Sequence, residues 1–366
     1  MSLNWTCSAM AKGGTELKGT FAEEEFVVGK VKAVGAPQIN NELYSSTGML
    51  SKRQAVEVEI IEGSQKGKTV TIANEITDNP VFNINVKPGL EVVLSIGRYD
   101  GGEFEYNIAD YHRAPALFVL FAAFLVAFVF FGGKQGLKSL IALLISVSLI
   151  AFVLLPMSLS GFNPLVVAIF ICLVTTLATM FFVAGKSKKA LAAVIGTTFG
   201  VFIAGLAAQL VIVFAPLTGL SSEEAQILRG SVLVQSPRFY TGLLAAGMLI
   251  GALGVIMDVG ISIASAVAEV AKSGQFSMKE LYASGMNVGR DIMGTMTNTL
   301  ILAYTGGALP LLLLISQIPS NKLVNLDLVA TEVASAISGS LGLVLTIPMT
   351  AYIAARLMAS DQAKEK

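Results

Sequence analysis

Asp258, Arg290 and Asp291 are charged residues set within, or at the edge of, long apolar runs. A charge in hydrocarbon costs about 2.5–3.5 kcal/mol on insertion scales, so it needs a partner or a wet surface. Arg290 and Asp291 open a segment whose polar residues continue as a stripe. Asp291, Thr295, Asn298, Leu302 and Thr305 fall at i, i+4, i+7, i+11 and i+14, one face of a helix. The preceding apolar run carries a second stripe, Gly247, Gly251, Gly254, Asp258, Ser262, Ser265 and Glu269, small first and polar afterwards. Small residues at this spacing let helix backbones approach, which predicts that Asp258 lies on a packed side rather than towards lipid. Helix rise puts Asp258 about 26 Å from Thr241, near the edge at which Arg290 enters. The expected chemistry is a pair or polar network of Asp258, Arg290, Asp291, Thr295 and Asn298 between neighbouring helices. It reads either as a proton- or ion-coupled path or as a structural ion pair that fixes how two helices pack.

Other chemistries find no support. There is no His-Glu-x-x-His, no glycine-flanked nucleophilic serine and no phosphate loop. Asp258 and Asp291 are the candidates for an intramembrane aspartic dyad, but the residues around neither resemble such a protease, so no enzyme is expected. Cys7 and Cys172 are far apart and His112 is the single histidine, which offers no metal-ligand set and calls for no cofactor. The 25 basic and 25 acidic residues balance, and nucleic acid is not an expected partner.

The elements that must position these residues follow from composition. Hydrophobic residues make up 54% of the chain and charged ones 14%, where a soluble domain averages about a quarter charged. Residues 1–25 read as a poorly ordered segment, 26–112 as a small β-rich domain, 113–360 as a transmembrane domain and 361–366 as a tail. Seven apolar segments, near 114–132, 138–155, 164–184, 190–215, 239–264, 292–317 and 331–357, are each long enough for a ~30 Å hydrocarbon core. The predicted fold is thus an α-helical integral membrane bundle of seven spans with an N-terminal β-barrel of the OB or SH3-like kind.

Basic residues give the direction. One set of connections carries eleven, from Lys134 and Lys138 to Arg356, Lys364 and Lys366; the other carries four, Arg113, Arg229, Arg238 and Lys322. The first set is predicted cytoplasmic, with the C-terminus, and the β domain extracytoplasmic, in the cell membrane. A folded domain does not easily cross before a targeting span, so a hydrophobic segment is expected upstream of the given start. The alternative is a β domain that stays inside, which inverts every loop against the lysine count.

Local signals add detail. Ser221 with Glu224 and Ser277 with Glu280 form two capping boxes. The second predicts a surface helix over 278–287, before Gly289 turns the chain into the membrane. Gly306-Gly307-Ala308-Leu309-Pro310 predicts a helix break, a feature from which transporters build binding sites and equally an ordinary kink of membrane helices. Packing seams are predicted at Gly247, Gly251 and Gly254, at Gly196 with Gly200, and at Ser335 with Gly339 and Ser338 with Gly342. In the β domain Val56, Val58 and Ile60 alternate with Glu57 and Glu59, and turns are predicted at Gly63–Gly67 and Asp100-Gly101.

Several of these stretches resemble the YibE/F-like family of bacterial multi-pass membrane proteins. The resembling pieces are Gly251–Asp258, Ser284–Leu300 and Ala303–Pro310, with Thr218–Ala225, Lys66–Val70 and Ile108–Tyr111. The likeness runs from about residue 26 onward. Family members usually begin with a hydrophobic helix, which this chain lacks at its start. The resemblance implies a multi-pass membrane protein and brings no reaction with it. Two functions are expected from the sequence. The first is a permease or channel-like transporter of a small solute or ion, with Asp258, Arg290, Asp291, Thr295 and Asn298 in its path. The second is a non-catalytic scaffold or sensor whose β domain binds an envelope partner. Partners are the lipid bilayer and either a second, related membrane protein or another copy of the chain.

Overall fold

The computed structural model describes residues 23–39, 51–77, 83–99, 104–230, 236–315 and 319–362. The N-terminal segment as far as residue 22, the Asp100-Gly101 turn and the tail from residue 363 lie outside them. The chain forms two compact units, Met1–Val126 and Ala127–Lys366.

In the first unit, strands β1 (Glu23–Val34), β2 (Gln38–Ile39), β3 (Ser51–Ile60), β4 (Thr69–Thr77), β5 (Glu91–Arg98) and β6 (Phe104–Tyr111) share one sheet. Its order is β2-β3-β1-β5-β6, with β4 also on β3, and every pairing is antiparallel. The start of β1 pairs with β5 and its end with β3, across an irregularity between Val31 and Ala33. The sheet therefore curls about β1 into a half-barrel. Period-two alternation puts Val56, Val58 and Ile60 inside with Val31, Val92 and Leu94, all at most 1% exposed. Gly29 permits the curl, because a Cβ there would lie 2.6 Å from Val58 Cγ1 and 2.7 Å from Leu94 Cδ1. The expected β3–β4 turn has Gly63 and Gly67 at φ +84° and +87°, which only glycine adopts at little cost. Tyr106 Oη donates to Gln65 Oε1 at 2.6 Å and accepts from Lys68 Nζ at 2.8 Å, tying that turn to β6. Outside, Lys32 bonds Glu59 at 2.5 Å and holds its carboxyl below the usual range.

Among the described residues, the regular elements of the second unit are all helices. Helix α1 (Ala114–Leu149) begins in the first unit and is interrupted at Gly133, with φ 53° and ψ −138°. A Cβ on Gly136 would lie 2.7 Å from Phe128 O. Eight residues of straight helix would separate those positions by about 12 Å, so the chain folds back here. A π-helical turn (Ile150–Leu154) and the short α2 (Leu155–Leu159) follow. The wide turn sits just before Pro156, whose ring and missing N–H disfavour a regular α ladder.

Then come α3 (Pro164–Ala184), α4 (Lys188–Phe214), α5 (Glu223–Gly230), α6 (Pro237–Ser273), α7 (Met278–Gly307), α8 (Leu309–Ile315), α9 (Ser320–Leu323) and α10 (Asp327–Gln362). Asn163 caps α3 through Leu165 N, and Ser187 caps α4 through Ala190 N.

Five stretches are long and apolar enough to cross a membrane: Ala114–Leu159, Pro164–Ala184, Lys188–Phe214, Pro237–Ser273 and Asp327–Ser360. The count differs from the expected seven for two reasons. The runs 114–132 and 138–155 fall in one helical stretch broken at Gly133. The run 292–317 belongs to the more polar α7 and the short α8.

Helices α4, α6 and α10 form the core, with α3 and α7 against them. Small side chains make this possible. Gly196 and Gly200 of α4 meet Thr350 and Thr346 of α10, and a Cβ on Gly342 would lie 2.6 Å from Gly200 O. Ser335 and Ser338 are buried in the same helix, and Gly339 faces Leu300 and Ala252. Thr218 Oγ1 donates to Asp327 Oδ2 at 2.6 Å, joining the α4–α5 connection to the start of α10.

Three local expectations turn out differently or gain detail. The capping box at Ser277 forms in both directions, but no surface helix ends at 287. Helix α7 continues through Gly289, which is buried against Ile347 of α10 rather than turning the chain. Helix α5 is capped by Ser222, whose Oγ accepts from Ala225 N, one residue later than the Ser221–Glu224 box. The break at Gly306–Pro310 is present: α7 stops at Gly307 and Ala308 N donates to Tyr304 O and Thr305 O.

Candidate functional site

Helix α6 sets the site. Its buried face is Ala245, Leu249, Ala252, Ile256, Val259, Ile263 and Val267. The stripe from Gly247 to Glu269 lies two residues further on, about 200° round the helix. That stripe therefore points away from the core. Gly247, Gly251, Gly254, Asp258, Ser262 and Glu269 are exposed. This corrects the expectation that they pack inside the chain. A Cβ on Gly247 or Gly254 would touch nothing, but one on Gly251 would press on Tyr304 Oη and lie 3.4 Å from its Cζ, so Gly251 does pack against α7 as expected. Tight approaches are supplied by Gly196, Gly200 and Gly342, and by Gly260 of α6, where a Cβ would lie 2.5 Å from Thr197 Oγ1 of α4.

Helix α7 presents the other half. Its inner side is Leu281, Gly285, Gly289 and Leu300, whereas Arg290, Asp291, Gly294, Thr295, Asn298 and Leu302 are exposed. Three contacts fix how it runs past α6. A Cβ on Gly285 would lie 2.7 Å from Val267, one on Gly289 would lie 3.4 Å from Ile263, and Leu300 and Ala252 meet at Gly339. The helices are antiparallel, and this register sets Asp258 level with residues 294–297 and Arg290 level with 262–265. Asp258 and Arg290 thus differ in depth by about four to seven residues, some ~6–10 Å. Among the described residues no ion pair joins Asp258, Arg290 or Asp291 to anything. The expected Asp258–Arg290 pair does not form within the chain.

Asp258 stands 21 residues after Pro237 and 15 before Ser273, three from the middle of α6. That is about 5 Å from the helix midpoint. The helix runs on past residue 264.

The outward face of α6 is unlike those of its neighbours. On α3 the exposed residues include Phe170, Leu177 and Phe181, and on α4 Leu191, Phe202 and Leu206. No large hydrophobic side chain of α6 is exposed among the described residues. Large exposed apolar groups suit lipid; a glycine and carboxylate face does not.

Two residues that sequence reasoning passed over border this face. Tyr304 Oη and Thr297 Oγ1 are buried with no hydrogen-bond partner among the described residues. With Arg290 they lie at i, i+7 and i+14, a line that the stripe through Asp291 overlooked by one residue. The hydroxyls of Thr295 and Thr299 donate back to Ile292 O and Thr295 O, both at 2.9 Å. The groups free to engage something outside the chain are therefore the Asp258 and Asp291 carboxylates, the Arg290 guanidinium and the Asn298 amide. Among the described residues no cluster of three or more metal-type ligands occurs.

Two family models match the chain. One, described as YibE/F-like protein, covers residues 120–360. The other, described as the YibE/F family N-terminal domain, covers residues 28–111. No curated protein and no solved structure matches.

Proposed function

The chain belongs to the YibE/F-like family, and from that premise we propose a multi-pass transporter, a permease or channel for a small solute or ion. Seven spans are counted by taking the two arms of α1 about Gly133 separately and adding α7 with α8. The lysine-rich connections face the cytoplasm, and the curled sheet is an OB or SH3-like barrel on the outer side of the cell membrane. The path runs along the shared face of α6 and α7. Asp258 is its charged midpoint, Asn298 and Thr295 line it, and Arg290 and Asp291 stand towards its cytoplasmic end.

One observation carries this reading: a carboxylate close to the middle of a 37-residue apolar helix, on a face that exposes no large hydrophobic side chain. Such a face is compatible with water or polar protein but not with acyl chains. The test is flux of a panel of ions and metabolites into vesicles containing the purified protein, wild type against Asp258→Asn. Flux that drops in the variant, with folding intact, supports the path. Unchanged flux in the variant, or none in either protein, discards it in favour of a scaffold or sensor whose sheet domain binds an envelope partner.

A further inference from the structure

The polar face of α6 and α7 needs a cover. Glycines at 247, 254 and 294 leave open space outside the backbone, and Asp258, Arg290, Asp291 and Asn298 stand exposed along the same pair of helices. A glycine surface alone does not say what would lie on it. The charges do.

Arg290 and Asp291 are sequence neighbours, so they share one depth and carry opposite signs. Neither has an ion-pair partner among the described residues. Two copies of one chain insert in the same direction, so a two-fold axis relating them lies along the membrane normal and brings equal depths together. Under that operation the basic group of one copy meets the acidic group of the other, twice. Asn298, with both donor and acceptor on its amide, is self-complementary in the same way. Asp258 meets its own depth, where the other copy presents its own Asp258 and the band of residues 294–297 with the bare Gly294 surface, which leaves room between the two carboxylates.

We propose that this face is the contact between two copies of the chain, with Arg290 of each opposite Asp291 of the other and Asp258 covered beneath them. The inference rests on the membrane placement given above but not on transport. A conduit between two copies and a sealed contact would both show it.

The test exploits the symmetry. Arg290→Asp places two acids at the contact, and Asp291→Arg places two bases. In each variant alone both cross-copy pairs are repulsive; in an equal mixture both pairs are attractive wherever one variant meets the other. The full-length chain, wild type or variant, is reconstituted into lipid vesicles at low density and cross-linked through Gly254→Cys on a Cys7→Ser, Cys172→Ala background. Gly254 is suitable because the added side chain meets nothing in its own chain.

The wild type is expected to give a covalent product at twice the 38.4 kDa chain mass. Each charge variant alone loses that product, and the mixture recovers it. Recovery in the mixture also shows that both variants fold. A wild type that stays monomeric overturns the proposal. So do variants that cross-link alone as well as wild type does, and a mixture that recovers nothing. The flux assay is read separately: a dimer without flux removes the transport reading and leaves this one.

Discussion

Gly200 of α4 and Gly342 of α10 touch backbone to backbone. A Cβ on Gly200 would lie 2.8 Å from Gly342 O, and one on Gly342 would lie 2.6 Å from Gly200 O. The membrane unit is assembled around this approach, because α4, α6 and α10 close on one another where side chains are absent.

Gly342→Val therefore forces the two helices apart and destabilises the unit by about 1–3 kcal/mol, the usual range for overpacking. Gly247→Ala points into open space and replaces the poorer helix former, so it holds or raises stability by up to ~1 kcal/mol. Thermal unfolding of the two variants in detergent, followed by loss of the monodisperse chromatographic peak, separates them. Equal losses would mean that the close approach is not what holds α4 to α10.

The start of α7 is pH-sensitive in a defined direction. Glu280 accepts from Ser277 N at 2.7 Å and from Ser277 Oγ at 2.8 Å, and these bonds hold its carboxyl below the usual range. A lowered folded-state pKa means that the carboxylate form is the one stabilised. The contribution is full above the ordinary glutamate range and is lost as pH falls through the lowered value. Amide hydrogen exchange across residues 278–281 is expected to quicken, relative to intrinsic rates, as pH falls through the acid range in wild type. Glu280→Gln abolishes that dependence. Ser277→Ala weakens the helix start by about 1 kcal/mol.

Inside the half-barrel Leu94 is fully buried against Gly29. Leu94→Ala is expected to cost about 2–5 kcal/mol, the range for a buried leucine whose site relaxes only partly. The loss should be confined to the sheet, visible as faster hydrogen exchange in β1, β3 and β5 with exchange in α4 and α10 unaltered.

Single cysteines test the crossing count. Those replacing Lys134, Lys186 or Lys272 are expected to react with impermeant reagents from the cytoplasmic side, and those replacing Ser160 or Thr218 from the other. Labelling of the Lys134 and Ser160 positions from one side would mean that the arm from Lys134 to Leu159 does not cross.

Much of the fold was legible because its signals are local. Val56, Val58 and Ile60 alternate with glutamates and fold as a strand with one dry face. Ser277 with Glu280 is a complete capping box. The Gly306–Pro310 break comes from residues that cannot continue a helix whatever surrounds them. The orientation of α6 was not legible in the same way. Its glycine stripe marks a surface on which something packs closely, but spacing cannot say whether that surface is turned to the chain's own bundle. Nor does Gly289 declare itself as a turn or a contact; Ile347, 58 residues later in the chain, decides. The offset between Asp258 and Arg290 comes from the register of α7 on α6, which contacts such as Gly285 with Val267 and Gly289 with Ile263 fix and which spacing within either helix does not encode.

The central claim is that the outward face of α6 is turned to a polar surrounding rather than to acyl chains. Reactivity of a cysteine at that depth tests it most directly. In reconstituted vesicles of the Cys7→Ser, Cys172→Ala protein, Asp258→Cys and Ser262→Cys are expected to react with a small hydrophilic thiol reagent, while Phe202→Cys, on the apolar outside of α4, stays unreactive. Asp258→Cys and Ser262→Cys as silent as Phe202→Cys, in wild-type background and in the Arg290→Asp variant that separates the copies alike, would place that face against lipid and contradict the account.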